Sequence, residues 1–229
     1  MKSMNTLRQR CAVVVVIGLL AGSTVFADTF QVVPMNRIDG EPLPPWAEAV
    51  LQRSADSVTM TMYTRVGGEF WNFGNDSFLG PQWKPGDAVT NWWAVFNNPE
   101  YCTVPCGRDD LFAGGLRIDL DDHPFFDEID GTVGLIFATG HTTTSGTWSS
   151  SATLAEGDVS GVLFGVALGD AETAEIHVVV RSHGPEAAMT LEEAVDAVSS
   201  IGGGCSNSGA RTGPNICGDP QDAIFPPLP

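Results

Sequence analysis

Ten residues, SVTMTMYTRV, constrain the fold more than any other stretch of the chain. Val58, Met60, Met62, Thr64 and Val66 alternate with Thr59, Thr61, Tyr63 and Arg65. A strand sends successive side chains to opposite faces, so this alternation specifies a strand with one side toward a core and the other toward water. Five more segments read as short strands: AVTNWWAVFNN, GTVGLIFATG, SATLAEG, GVLFGVALG and AEIHVVVRSHG. Turn signals punctuate the chain at Gly67-Gly68, Gly74–Ser77 and Pro85-Gly86-Asp87. No helical pattern alternates with these strands. That excludes a parallel sheet covered by helices and predicts a mainly β chain folded as an antiparallel β-sandwich.

Two helices are expected beside the strands. WAEAVLQRS, from Trp46, predicts a short N-terminal helix with Ala47, Val50 and Leu51 on one face. TLEEAVDAVSS predicts a C-terminal helix opened by a capping box, with Thr190 as the cap and Glu193 three residues on. Its apolar positions, Leu191, Ala194, Val195 and Val198, share a face, and IGGGC stops it. HTTTSGTWSSS, from His141, reads as a polar hairpin, and everything after Cys205 as loop and tail.

The first residues have the layout of a secretory signal. Lys2, Arg8 and Arg10 precede an apolar run from Cys11 to Ala21, and Val25-Phe26-Ala27 offers small residues to a signal peptidase. The run is shorter than the roughly 20 residues a bilayer span needs. The expected organisation is therefore a signal peptide over 1–27, an extended N-terminal arm with its short helix over 28–54, and a β-sandwich domain over 55–229. The chain is expected to be exported, extracellular or periplasmic, and not integral to the membrane after cleavage.

Charge narrows the partners. The net charge is −17, and the leader carries three of the 11 basic residues and none of the 28 acidic ones, so the rest of the chain is more acidic still. Lys84 is the sole lysine beyond the leader. Such a surface repels nucleic acid and anionic headgroups, leaving a small molecule, a glycan or a protein as the partner.

Beyond the leader the cysteines are Cys102, Cys106, Cys205 and Cys217, an even number in a chain that reads as exported. Four cysteines allow three connectivities. Local pairing, 102–106 and 205–217, is expected because each pair encloses turn-forming residues.

Candidate sites follow from residues that a core does not explain. In AEIHVVVRSHGP, Ile176, Val178 and Val180 form one face of a strand, while His177, Val179, Arg181 and His183 share the other. A straight strand holds His177 and His183 roughly 20 Å apart, so the pair cannot chelate one ion. A metal, zinc or copper, needs a bend at Ser182–Gly184 or His141 brought beside His177. Arg181 in the same row suits a carboxylate, from a substrate or from the protein's own acidic stretch. That stretch, Arg117 to Gly131, holds carboxylates between Asp119 and Asp130 suited to calcium, although the spacing is not that of an EF-hand. Trp92 and Trp93, adjacent in a strand, point to opposite faces, so one offers a platform for a sugar. GxSxG and SxxK motifs are absent, which argues against nucleophilic catalysis.

NWWAVFNNPEYC, PCGRDDLF, FATGH, EIHVVVRSHGP and the later GGGC together resemble a family of exported bacterial β-rich proteins with no assigned activity. The resemblance runs from about residue 55 to Cys217 and places Asn97, Asn98, Pro99, His141, His177, Arg181 and His183 in signature segments. It implies a secreted β-rich domain, is consistent with local disulfides, and carries over no catalytic residue. The expected function is ligand or partner binding without catalysis. The alternatives are a metal-binding protein or metal-dependent enzyme using His141, His177 and His183, and a carbohydrate-binding module using an exposed tryptophan.

Overall fold

The computed structural model describes residues 15–16, 28–37, 47–65, 84–103, 105–118, 123–144, 147–207 and 213–229. The chain is mainly β, in two antiparallel sheets. The first sheet has the order β1-β2-β4-β5-β8, with β1 Val15–Val16, β2 Thr29–Pro34, β4 Glu48–Ser54, β5 Ser57–Arg65 and β8 Thr147–Ala155. The second has the order β3-β11-β10-β6-β7-β9, with β3 Asn36–Arg37, β6 Asp87–Phe96, β7 Val133–Thr142, β9 Val162–Gly165, β10 Glu175–Pro185 and β11 Gly218–Phe225.

The alternation in SVTMTMYTRV does what it specifies. Val58, Met60, Met62 and Thr64 are buried, and the residues between them face outward. With Leu51 and Leu154 they meet Trp93, Val95, Ile176, Val178, Val180 and Phe225 of the second sheet in one apolar core. The second sheet is also covered on its far side. There Trp92, Ala94, Phe96 and Leu135 pack under a layer made of the described residues between 99 and 131, which contributes Cys102, Cys106, Ala113 and Ile129. That layer contains a 3-10 turn at Pro99–Tyr101, helices α1 (Arg108–Leu111) and α2 (Phe126–Ile129), and a π turn at Phe112–Leu116. All ten residues of β6 are buried as a result, which is why its sequence is apolar nearly throughout rather than alternating.

Several expectations are corrected. WAEAVLQRS is no helix: Glu48–Ser54 is strand β4, with Ala49, Leu51 and Arg53 inward. Its period of two is hidden because the third inward residue is an arginine. HTTTSGTWSSS is not a hairpin, since β7 and β8 lie in different sheets. The tail after Cys217 is a strand, β11, paired along β10. Pro220 disguises it. The pairing runs from Val180↔Gln221 to Ser182↔Gly218 through a bulge, where a residue without an N–H is tolerated. The stretch read as an extended arm supplies β2 to one sheet and β3 to the other.

The C-terminal helix is present as α3, Leu191–Ala197, and Thr190 and Glu193 form the predicted capping box. Its buried side differs from the expectation. Ala194 and Ala197 face inward, while Leu191 is 84% exposed and Val195 58%. The partner surface is the glycine run. A Cβ on Gly203 would sit 2.2 Å from backbone atoms of Asp196, and Gly204 has a φ of +68°. Only the alanine side of the helix fits so close a backbone.

One buried cation closes an end of the core. Arg53, 2% exposed, donates Nε to Gln31 Oε1 (2.7 Å), Nη1 to the carbonyls of Ala171 (2.5 Å) and Ala174 (3.0 Å), and Nη2 to those of Phe225 (3.3 Å) and Pro226 (3.0 Å). Gln31 in turn donates Nε2 to the Pro226 carbonyl at 2.8 Å.

Candidate functional site

The face of β10 opposite the core carries Glu175, His177 and Arg181; each is bound by another group of the protein, although Arg181 Nε is buried without a hydrogen-bond partner. His177 is buried, with Nε2 2.7 Å from Glu175 Oε1 and its ring 4.9 Å from Phe96. The same Glu175 oxygen accepts the Cys106 N–H at 2.9 Å, which ties the first disulfide loop to the sheet. Substituting Glu175 with alanine orphans a buried imidazole nitrogen and a buried amide. The expected loss is about 2 kcal/mol, read from a denaturant midpoint at unchanged m-value. Glu175→Gln keeps the amide bond and is expected to retain about half of that.

Arg181 meets a carboxylate, though not one of the acidic stretch. Nη1 donates to Asp219 Oδ1 (2.7 Å) and Oδ2 (3.0 Å). Asp219 sits beside Pro220 in the bulge of β11, so a strand the sequence conceals supplies the partner.

His183 is fully buried within the register shift between Ser182 and Pro185, where Gly184 takes a φ of +76°. Its Nδ1 lies 2.8 Å from the Gly203 carbonyl and its Nε2 2.8 Å from Thr90 Oγ1. A carbonyl only accepts, so Nδ1 carries the proton; Thr90 then donates its hydroxyl to Nε2 and accepts from Trp92 Nε1 at 2.8 Å. The chain of bonds is satisfied with a neutral imidazole. Burial lowers the His183 pKa to about 4, with Arg181 adding to the depression and the Gly203 carbonyl and Asp196 opposing it.

His141 does not reach His177. It pairs across from Val89 and His177 across from Ala94, five residues further along β6. That separation is about 17 Å along the strand. The faces differ too, because Val89 belongs to the core between the sheets and Ala94 to the outer cluster. His141 is exposed, 2.9 Å from Thr139 Oγ1 and beside the Trp148 ring. A metal pair of His141 and His177 is therefore ruled out by distance. Trp92 and Trp93 do point to opposite faces, but both are buried, at 3% and 1% exposure, so neither offers a platform to solvent. Asp119, Asp121 and Asp122 of the calcium stretch lie outside the described residues, and Asp130 is bound to Arg117 Nε at 2.8 Å.

Sequence reasoning passed over the fourth histidine. His123 Nε2 is 2.7 Å from Oδ1 of Asp110, which is fully buried and also accepts the Thr103 and Gly107 amides at 2.9 and 2.7 Å. His123 Nδ1 accepts the Phe125 N–H at 3.1 Å. Both ring nitrogens are engaged, so the dyad braces the covering layer and offers no free base.

Both cysteine pairs are disulfides, Cys102–Cys106 and Cys205–Cys217. The second lies against His183, whose Nδ1 is 3.5 Å from Cys205 Sγ and 3.9 Å from Cys217 Sγ.

Among the described residues the outer face of the first sheet is open to solvent. Its rows run Phe30, Gln52, Thr59, Thr153; then Val32, Val50, Thr61, Ser151; then Pro34, Glu48, Tyr63, Ser149. Thr59 and Thr153 hydroxyls pair at 2.9 Å, and Thr61 and Ser151 at 3.2 Å. Glu48 is the single charge in these rows. These features define the chain as a disulfide-bonded protein of two antiparallel sheets, with one face buried under an irregular layer and, among the described residues, one left bare. No family model, curated protein or solved structure matches it.

Proposed function

We propose that this chain is an exported, non-catalytic binding protein, a β-sandwich that recognises a neutral polysaccharide through the open face of its first sheet. The observation that carries this reading is the composition of that face. In a protein with 28 acidic residues, three rows of exposed or half-buried side chains hold one carboxylate, five Ser or Thr hydroxyls, a glutamine, four apolar residues and a tyrosine that is 46% exposed. A neutral hydroxyl-rich surface matches a ligand that is itself neutral and polyhydroxylated, and a half-exposed ring gives a pyranose an apolar face to rest on. The leader and the two disulfides support export. No helix among the described residues is long and apolar enough to cross a membrane.

The polar side chains on the other candidate surface, His177, Arg181 and His183, are held by the protein's own groups, which favours binding over catalysis. The test is sedimentation with a panel of insoluble neutral polysaccharides at physiological salt. Binding is expected for at least one of them, weakened about tenfold by Tyr63→Ala and again by Thr61→Asp, about 1.4 kcal/mol each. Retention of none, or retention that both variants leave unchanged, overturns the proposal.

A further inference from the structure

The one place among the described residues where potential metal ligands converge is the second disulfide: the ligand atoms of His183, Cys205 and Cys217 all lie within 4.8 Å of one another, and all three residues are buried. We propose that reduction of Cys205–Cys217 converts this corner into a copper(I) site formed by two thiolates and His183 Nδ1.

Geometry is the first argument. Metal bonds of about 2.3 Å to sulfur and 2.0 Å to imidazole nitrogen, set at trigonal angles, separate nitrogen from sulfur by about 3.7 Å and the sulfurs by about 4 Å. The nitrogen already stands 3.5 and 3.9 Å from the two sulfurs. The sulfurs have to part, and their Cα atoms are 5.4 Å apart. The Gly203 carbonyl, which takes the Nδ1 proton at 2.8 Å, has to turn aside when the metal replaces that proton.

The ligand set selects the ion. Two thiolates and an imidazole favour soft copper(I) or zinc, and a set of three protein ligands favours the ion content with three over one that prefers a tetrahedron. The second shell is already built. Reduction takes two electrons and two protons from a dithiol, which becomes a disulfide, and leaves two thiols. Copper(I) displaces both thiol protons, and the imidazole proton moves from Nδ1 to Nε2. Nε2–H then donates to Thr90 Oγ1, which has a second lone pair for Trp92 Nε1. Thr90 thus holds the ring in place in either tautomer, as the outer partner of a metal-bound histidine does.

The experiment uses the full chain, reduced anaerobically with a phosphine and titrated with copper(I) against a chromophoric copper(I) chelator. The expected result is one tightly held equivalent, none without reduction, and none in a Cys205→Ser, Cys217→Ser variant. His183→Gln is expected to weaken binding about a hundredfold. X-ray absorption of the wild-type copper form should show two sulfurs and one nitrogen, a readout that does not depend on the variants folding. Less than about a tenth of an equivalent bound, a shell of two sulfurs without nitrogen, or preferential retention of zinc in competition overturns the assignment.

Discussion

Arg53→Ala is expected to lower stability by about 3–5 kcal/mol, the range for removing one partner of a buried charged network. In a chain of this size that corresponds to a melting temperature lower by about 10 °C. All five guanidinium N–H groups are used, four on backbone carbonyls and one on Gln31, across three segments of the chain. Two terms compete. Desolvating the cation is costly and lowers its pKa to about 10, partly offset by Asp170 and Glu172. It nevertheless stays charged at neutral pH, because the carbonyl dipoles and Gln31 replace its water. Removing the side chain abandons those acceptors inside the protein, and that term wins. Arg53→Lys should recover little, since three donors on a point charge cannot match a planar fork. Arg53→Met within about 1 kcal/mol of wild type in urea unfolding would show that the carbonyls find other donors and that the clamp is not needed.

The second large effect is acid lability centred on His183. Its folded pKa of about 4 lies below the ordinary 6.5, so between these values the unfolded chain binds a proton that the folded one refuses. Stability is unaffected above pH 6.5. It falls as pH drops toward 4, by up to about 1.4 kcal/mol per pH unit, and the total loss is about 3 kcal/mol. Asp87 works in the opposite direction: burial raises its pKa above 3.8, so proton uptake there favours the folded state near the acid end of the window. The Lys84 amide and charge moderate that rise. Urea titrations at pH 7, 6, 5 and 4 should show the slope in wild type and its loss in His183→Gln. A His183→Gln variant with an unchanged slope would place the lability elsewhere.

How much was legible in advance follows from where each side chain's partner lies. Strand β5 declares itself because its inward residues are apolar and its outward ones are not, and the same is true of Ile176, Val178 and Val180 in β10. The cap of α3 is legible because Thr190 and Glu193 are local. Strand β4 is not, because Arg53 occupies a core position and breaks the alternation. Strand β11 is not, because Pro220 sits in a bulge whose existence depends on β10. Of the expected face of α3 Ala194 is buried but Leu191 and Val195 are not, because Ala197 is the residue that meets the glycine run.

The candidate site divides along the same line. That His177 and Arg181 leave the core face of β10 is a consequence of strand periodicity. What meets them is set elsewhere: Cys106 of the covering layer ties down the Glu175 that holds His177, and Asp219 of β11 takes Arg181. The register across β6 then separates His141 from His177 and brings His183 to Thr90 and the Cys205–Cys217 bridge. By itself the sequence determined the β class, the paired cysteines, the capped helix and the polar row on β10, because each depends on neighbours within a few residues. Only the tertiary structure decided which sheet face is bare and which histidine meets which partner. Those depend on register and on a layer folded over the sheet, and contacts between distant segments leave no local pattern.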